Sequence, residues 1–570
     1  MQVICLSKRV LIVGGVAGGA SVAARLRRLD ESAEIVIFER GPHVSFSNCC
    51  LPYFLNRAIP EAEKLILMTP EKFRNQYNIE VRTENEVTEI HRDRKEITVR
   101  NTATGETYTE RYDKLVLSPG GEPILPGSIE GIRGENVFGV RNVLDITALD
   151  SYVRGHDVKD VAVVGGGFIG CEIAESLTHA GLNVTLIEAV DQIMTPFDFD
   201  MVQILHKELL DNGIRLILKD GVEKIAADHV KLASGREVKA QAVVMAIGVR
   251  PETTLAKAAE LEIGPTGAIK VDESYRTSDP DIYAVGDAIQ VYNRLTGEPA
   301  RLALAWPAQM EARAAAEHIA GIPGHPRGVI GSSVIRLFNM FAASTGLNEK
   351  TAKQAGIPYD FAYVIPQDKV GIMPNSKPIH LKVLFEVPTG RILGAQAIGP
   401  NAPDRRIDII ASVIHFNGTL EDLRDLELCY APVVGTAKDA VNLAGMVGLN
   451  LLYGMSRQVH MDQLRRLVEE KACIIDIREE NEFANGHIIG AVNIPLSQLR
   501  KRMDEIPKDR PVYLHCRSSQ RSYNALRALM NSGWNNVWNI AGSYLAFSYY
   551  EYAQEIIYGK ERIMTAYNFN

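Results

Sequence analysis

Cysteine is scarce in this chain of 570 residues. Seven are present, at positions 5, 49, 50, 171, 429, 473 and 516, an odd number with no CxxC pair. That excludes a secreted disulfide framework and a cysteine-rich zinc site, and no other metal set is read. It fits a reducing cytoplasm, where a reactive cysteine works as a thiolate. Positive charge is also short: 62 Lys and Arg stand against 70 Asp and Glu, a net charge of −8. A nucleic-acid binder usually carries a basic excess, so none is expected. Long hydrophobic runs are missing too. An apolar stretch free of charge, 440–456, contains Asn442, Asn450 and three glycines, and reads as a buried or interface segment rather than a membrane span. A strand signal begins at Arg9, too early for a signal peptide to be expected before it.

What is present is ordinary for a soluble globular protein: 46% hydrophobic and 23% charged residues. The length is too great for one core and suggests about three to five units. Strands alternate with helices in the first half, which predicts a parallel sheet. Residues 10–13 read as a strand, 14–19 as a tight turn, 20–29 as a helix, and 35–38 as a strand ending at Glu39. The unit recurs: strand 161–164, turn 165–170, helix 171–180, and strand 184–187 ending at Glu188. Residues 330–450 read as a mixed α+β block, 451–458 as a connection, and the last 105 or so as a separate unit with strands near 473, 512 and 537.

A dinucleotide pyrophosphate needs close backbone approach and unpaired N–H donors at a helix start, and an acid ending the second strand bonds the ribose. Gly14, Gly15, Ala17, Gly18 and Glu39 supply this pattern once, with Val16 in place of the middle glycine. Gly165, Gly167, Gly170 and Glu188 supply it completely. Glu188 would repel a 2′-phosphate, so NADH is expected over NADPH. Two such units suggest two dinucleotides passing electrons, one held and one exchanging. At this point residues 1–450 resemble the two-dinucleotide-domain flavoprotein disulfide reductases. Tyr283-Ala284-Val285-Gly286-Asp287 resembles that family's second flavin motif, which implies FAD with Asp287 on its ribityl chain. Residues 245–251 resemble the strand closing its NAD domain.

The segment Ser45-Phe46-Ser47-Asn48-Cys49-Cys50-Leu51-Pro52-Tyr53 resembles the coenzyme A disulfide reductases and NADH-dependent persulfide or polysulfide reductases, which carry one redox cysteine here. Cys49 falls on it; Cys50 reads either as packing or as a second thiol. NADH oxidases and peroxidases share the Ser-Phe-x-x-Cys part and lack Leu-Pro-Tyr. The resemblance implies coenzyme A contacts at Ser21, Arg25, Arg28, Ser45, Asn48, Lys72 and Lys438, where lone cations would otherwise read as solvated surface charge. It also implies Tyr430 as a donor near the reacting sulfur, presented across a homodimer interface. One departure stands out: residues 370–375 hold Ile372 and Met373 where the family commonly has a tyrosine pair.

Residues 476–495 and the later His515-Cys516-Arg517-Ser518-Ser519-Gln520-Arg521 resemble a rhodanese domain with its persulfide loop. A strand would deliver Cys516 to loop N–H groups and a helix start, which lower a thiol pKa and stabilise a persulfide, with Arg517 and Arg521 adding positive charge. The spacing of Arg521 from Cys516 excludes a Cys-(x)5-Arg phosphatase.

The expected fold is α/β: two Rossmann-like dinucleotide-binding domains for FAD and NAD, an α+β dimerisation domain and a C-terminal α/β rhodanese domain. The expected bounds are 1–120 with 276–325, 121–275, 326–450 and 459–565. The expected function is a cytoplasmic, homodimeric FAD enzyme using NADH to reduce sulfane sulfur in polysulfide or coenzyme A persulfide, or coenzyme A disulfide. The alternatives are an NADH oxidase or peroxidase with Cys49 as sulfenic acid, and a sulfur-binding sensor of low turnover.

Overall fold

The computed structural model describes residues 8–324 and 328–569; Cys5 lies outside them. The chain forms two compact units, one from residues 1–184 and 222–329, the other from 185–221 and 330–570.

In the first unit, five parallel strands run in the order Ile282–Ala284, Lys114–Leu117, Arg9–Val13, Glu34–Glu39, Glu80–Thr83. Their apolar runs, such as Val10-Leu11-Ile12 and Ile35-Val36-Ile37-Phe38, are buried because helices cover parallel sheets on both faces. Helices Ala17–Leu29 and Ala305–Ile319 pack against each other. A second parallel set joins Val137–Gly139, Ala242–Met245 and Asp160–Val164, and two three-stranded antiparallel sheets are added.

Both helices that follow the glycine turns begin three residues earlier than expected, at Ala17 and Phe168. Glycines read as turn in a sequence, but here they are helical because of close packing. A Cβ on Gly19 would lie 1.9 Å from the Gly14 carbonyl oxygen, and one on Gly170 1.9 Å from that of Gly165.

In the second unit, strand Asn183–Ile187 contributes Thr185–Ile187 pairing in parallel with Arg215–Ile217. An antiparallel sheet follows, ordered Ser332–Leu337, Met340–Gly346, Ile392–Gly399, His380–Glu386, Tyr359–Val364. All eight residues of its central strand are buried. The Lys382 ammonium, itself buried, meets three carboxylates: Asp198 at 3.1 Å, Asp200 at 2.9 Å, and Glu349. Burial pushes the Asp200 carboxyl up to about 6. These acids cluster closely enough to hold a metal ion, but the lysine fills the space between them.

The last domain is a parallel sheet ordered Gln458–Val459, Val537–Ile540, Val512–His515, Cys473–Asp476, Val492–Asn493. It does not swing free within its unit. Gln458 Nε2 donates to Asp360 Oδ1 at 3.0 Å and to the Phe361 carbonyl at 2.8 Å. Helix Ala440–Leu452 covers most of the uncharged stretch, and no described helix is long and apolar enough to cross a membrane.

Candidate functional site

The two glycine turns present the same chemistry. Gly14 has φ +92° and a Cβ there would lie 2.1 Å from the Ser118 carbonyl oxygen; Gly165 has φ +108° and would meet Ala246 O at 2.4 Å. Only glycine fits such sites. Neither following helix has a side-chain cap, at Val16 or at Gly167. Their first-turn N–H groups are therefore donors without a side-chain acceptor, as an anionic pyrophosphate requires. A Cβ on Gly167 would have nothing within 4 Å, which leaves room for a ligand. Gly15 and Gly18 pack tightly, against Val44 and against Ser118 Oγ, each 2.5 Å from an ideal Cβ.

Glu39 is fixed at the end of its strand: Gly15 N donates to Oε2 at 3.0 Å and Gly41 N to Oε1 at 2.9 Å. Asp287 sits on the turn Gly286–Ala288, with its carboxyl pushed up by burial against the pull of Arg141. Gly286 N donates to Glu311 Oε2 at 2.7 Å, and burial pushes that carboxyl up to about 7. These polar groups around a glycine cradle fit a dinucleotide. Glu188 lies in the second unit, where its N donates to Ile217 O at 2.8 Å and its Oε1 accepts from Val190 N at 3.1 Å.

Cys49 is exposed on the single turn Asn48–Cys50, with Cys50 half-buried beside it. The segment is fastened to the first glycine turn: Ser45, at φ +48°, donates its N–H to Gly15 O at 2.9 Å. The next helix, Pro52–Leu55, packs on helix Phe168–His179. Tyr53 bonds Glu172 there, and Asn56 Nδ2 reaches Ser176 Oγ at 3.4 Å. Burial, reinforced by Glu175, pushes the Glu172 carboxyl up to about 7. Burial pushes the Cys49 thiol up as well, with Glu172, Cys50 and Asp287 as further contributors. The protein groups around Cys49 thus favour the neutral thiol, against the thiolate expected from the sequence.

The coenzyme A residues separate. Arg25 Nη2 is paired with Glu317 Oε1 at 2.5 Å. Ser21 lies half-buried one turn before it, and Arg28 is exposed. Asn48 is exposed, as is Lys72, whose N–H is capped by Thr69 Oγ1 at 3.2 Å. Tyr430 and Lys438 belong to the second unit. Tyr430 is 50% exposed on a loop whose ends are held by Arg405, which donates to Cys429 O at 3.2 Å and Val434 O at 3.3 Å. Lys438 is exposed beside Asp439, which caps the Ala440–Leu452 helix. Asp439 takes the buried Arg406 Nη2 at 3.0 Å, and the same nitrogen donates to Asp368 O at 2.9 Å. One arginine therefore anchors both this loop and the one carrying Ile372, which is 91% exposed.

Cys516 follows strand Val512–His515 and precedes helix Gln520–Asn531. It is 1% exposed. Ser522 Oγ donates toward its Sγ at 3.5 Å, and its N–H donates to Ser543 Oγ at 3.3 Å. Ser519 has φ +71°, a conformation that favours glycine, but its Oγ donates to Ile540 O at 3.1 Å. Gln520 is exposed and Ser518 half-buried. Arg521 is bound by both oxygens of Glu482, at 2.6 and 2.8 Å, so its charge is compensated rather than added. Arg517 is half-buried, and burial pulls its pKa down against the pull of Glu482.

Glu172, Glu311, Arg141, Glu482 and Ser543 were not anticipated, and each acts through a fold contact that leaves no sequence pattern. Gly19 was legible, since it stands at the same offset from Gly14 as Gly170 from Gly165.

Residues 8–312 match the family described as pyridine nucleotide-disulphide oxidoreductase, 334–440 its dimerisation domain, and 460–549 the rhodanese-like domain. The coenzyme A disulfide reductase of Staphylococcus epidermidis is 33% identical over 438 residues, 77% of this chain and 99% of that protein. The reduced Bacillus anthracis CoADR-RHD crystal structure superposes with TM-score 0.93 at 42% identity, over 95% of this chain and 98% of that one. The NAD-dependent persulfide reductase from A. fulgidus gives 0.90 at 33% identity, over 95% and 99%. The NADH-bound water-forming NADH oxidase from Lactobacillus brevis gives 0.75 at 27%, over 79% and 100%.

Proposed function

The chain belongs to the pyridine nucleotide-disulphide oxidoreductases, and we propose that within them it reduces sulfane sulfur and coenzyme A disulfide with NADH. The observation that carries this reading is one chain holding an exposed cysteine tied to a dinucleotide turn and a second, buried cysteine in a rhodanese loop. The rhodanese domain separates it from an NADH oxidase, and the relatives named for coenzyme A disulfide and persulfide reduction support the substrate class.

FAD fits the first turn with Gly14, Gly15, Ala17, Gly18, Glu39 and Asp287, and NADH the second with Gly165, Gly167, Gly170 and Glu188. The domain bounds read from the sequence are retained for these sites. When bound, the flavin would supply the two-electron relay between NADH and the cysteine centre. Cys49 loses its proton and attacks the outer sulfur of a persulfide or polysulfide; the S–S bond breaks, the remaining thiolate leaves, and Cys49 becomes a persulfide. Two electrons then restore the Cys49 thiolate and release sulfide. With coenzyme A disulfide the intermediate is a mixed disulfide and both products are coenzyme A thiolates. Ser45 and Asn48 would bond the pantetheine arm, while Arg25, Arg28, Lys72 and Lys438 suit its phosphates, with Ser21 beside them.

Tyr430 would donate to the leaving sulfur from the partner of a homodimer, in keeping with the dimerisation-domain match. Cys516, within Arg517, Ser518, Ser519, Gln520 and Arg521, would hold sulfane sulfur as a persulfide for transfer. A reducing cytoplasm suits both thiols. Anaerobic NADH oxidation measured against polysulfide, coenzyme A disulfide and peroxide tests the reading. Fast turnover with either sulfur substrate and little with peroxide is expected; the reverse order would assign an NADH peroxidase.

A further inference from the structure

The loop after Glu188 has support from a distant part of the chain. Glu188 Oε1 accepts from Val190 N at 3.1 Å, Val190 O accepts from Lys219 N at 2.9 Å, and Asp220 N reaches Glu188 O at 3.3 Å. The next residue, Asp191, gives its carbonyl to the Tyr558 hydroxyl at 2.7 Å. The Lys219 ammonium lies 5.2 Å over the same tyrosine ring. Tyr558 follows the last helix, Ser543–Ile556, of the rhodanese region.

That helix also packs on helix Phe199–Asp211, which leads away from the loop. Phe199 meets Tyr550 edge-on at 5.6 Å. Lys207 Nζ sits 4.4 Å over Phe569 and 5.4 Å over Tyr552. The loop itself is poorly buried: Val190 is 46% exposed and Asp191 lies on the surface. A surface loop with few buried contacts opens at low cost unless something ties it down, and a preorganised acid binds its ligand with less ordering cost. The phenol, pushed up to about 12 by burial and by Asp191, remains a donor throughout the neutral range.

We propose that Tyr558 is a positioning residue for NADH, through which the rhodanese tail holds the Glu188 loop in its nucleotide-binding conformation. This rests on Glu188 as the ribose-binding acid. The sulfur-transfer domain therefore contributes to cofactor recognition as well as to sulfur handling.

The test uses the flavin-loaded full chain and the Tyr558→Phe variant. Losing one hydrogen bond that orders the loop should raise KM for NADH, and Ki for ADP-ribose, about three- to tenfold. The kcat with saturating NADH and polysulfide, and sulfur transfer from thiosulfate to cyanide, should stay unchanged. Lys219→Ala should act in the same direction and more weakly. Glu188→Gln is measured alongside. If Glu188→Gln weakens both constants and neither Tyr558→Phe nor Lys219→Ala does, the buttress is refuted while the ribose reading stands. If Glu188→Gln changes neither constant, the ribose reading falls and the proposal with it. A fall in kcat with both constants unchanged also overturns it.

Discussion

Cys49 and Cys516 both sit on a turn that leads into a helix, yet their surroundings are opposed. Cys49 is reached by solvent, yet partial burial, with Glu172 and Asp287 behind it, pushes its thiol up. Cys516 is buried, with Ser522 directed at its sulfur and the half-buried Arg517 next to it in the loop. The contrast separates two tasks. A cysteine that meets both a cofactor and a bulky substrate needs access, and its anion must be generated during turnover. A cysteine that stores a reactive sulfur gains from enclosure and donors that hold negative charge.

Exchanging each sulfur for oxygen tests that division most severely. Cys49→Ser should retain flavin and lose NADH-linked sulfur reduction by more than about a thousandfold, since no nucleophile remains. Cys516→Ser should keep flavin reduction by NADH and slow polysulfide turnover by only about tenfold. Equal losses in stopped-flow and steady-state rates would erase the distinction.

The leaving group is the next handle. Tyr430 is the one donor proposed, because Ile372 and Met373 replace a tyrosine pair and Ile372 stands in solvent. General-acid help is worth about 10²–10⁴-fold, and a polysulfide anion leaves with less of it than a coenzyme A thiolate. Polysulfide should therefore have the higher kcat/KM, and Tyr430→Phe should widen the gap toward the lower end of that range. Comparable values in the unmutated enzyme would point to Cys50 as a resolving thiol.

Glu172 gives the comparison a pH axis. Its carboxyl is protonated below about 7 and charged above. Its folded pKa lies above the unfolded value of 4.5, so its contribution to stability is lost as pH rises between the two. As the charge appears, it opposes ionisation of Cys49. Glu172→Gln should shift the pH profile of Cys49 alkylation downward by up to about one unit. The smallest effect belongs to the buried loop: Ser519→Ala removes the bond to Ile540 O but keeps φ positive, and should cost about 1–2 kcal/mol in denaturant unfolding.

Much of this was legible in the sequence because glycine, short acids and strand runs act locally. The Gly14 and Gly165 turns, the acids at Glu39 and Glu188, and the Cys516 loop all follow from neighbouring residues. The helix starts were misread because glycine signals a turn even where close packing makes it helical. Pairings such as Arg25 with Glu317, Arg521 with Glu482 and Tyr558 with Asp191 were not legible. They join distant segments through single contacts that leave no period or motif.

The uncapped start of the Ala17–Leu29 helix has a consequence for supply. A ligand that binds the folded state alone stabilises it by mass action, by about 2.7 kcal/mol at a hundred times its dissociation constant. The N-cap supplies no side-chain bond to those N–H groups, so with the flavin bound there as proposed, the durability of the first unit becomes a function of flavin concentration. Cells short of riboflavin would then hold less of the protein through faster turnover of its unloaded form, before any deficit in catalysis was felt.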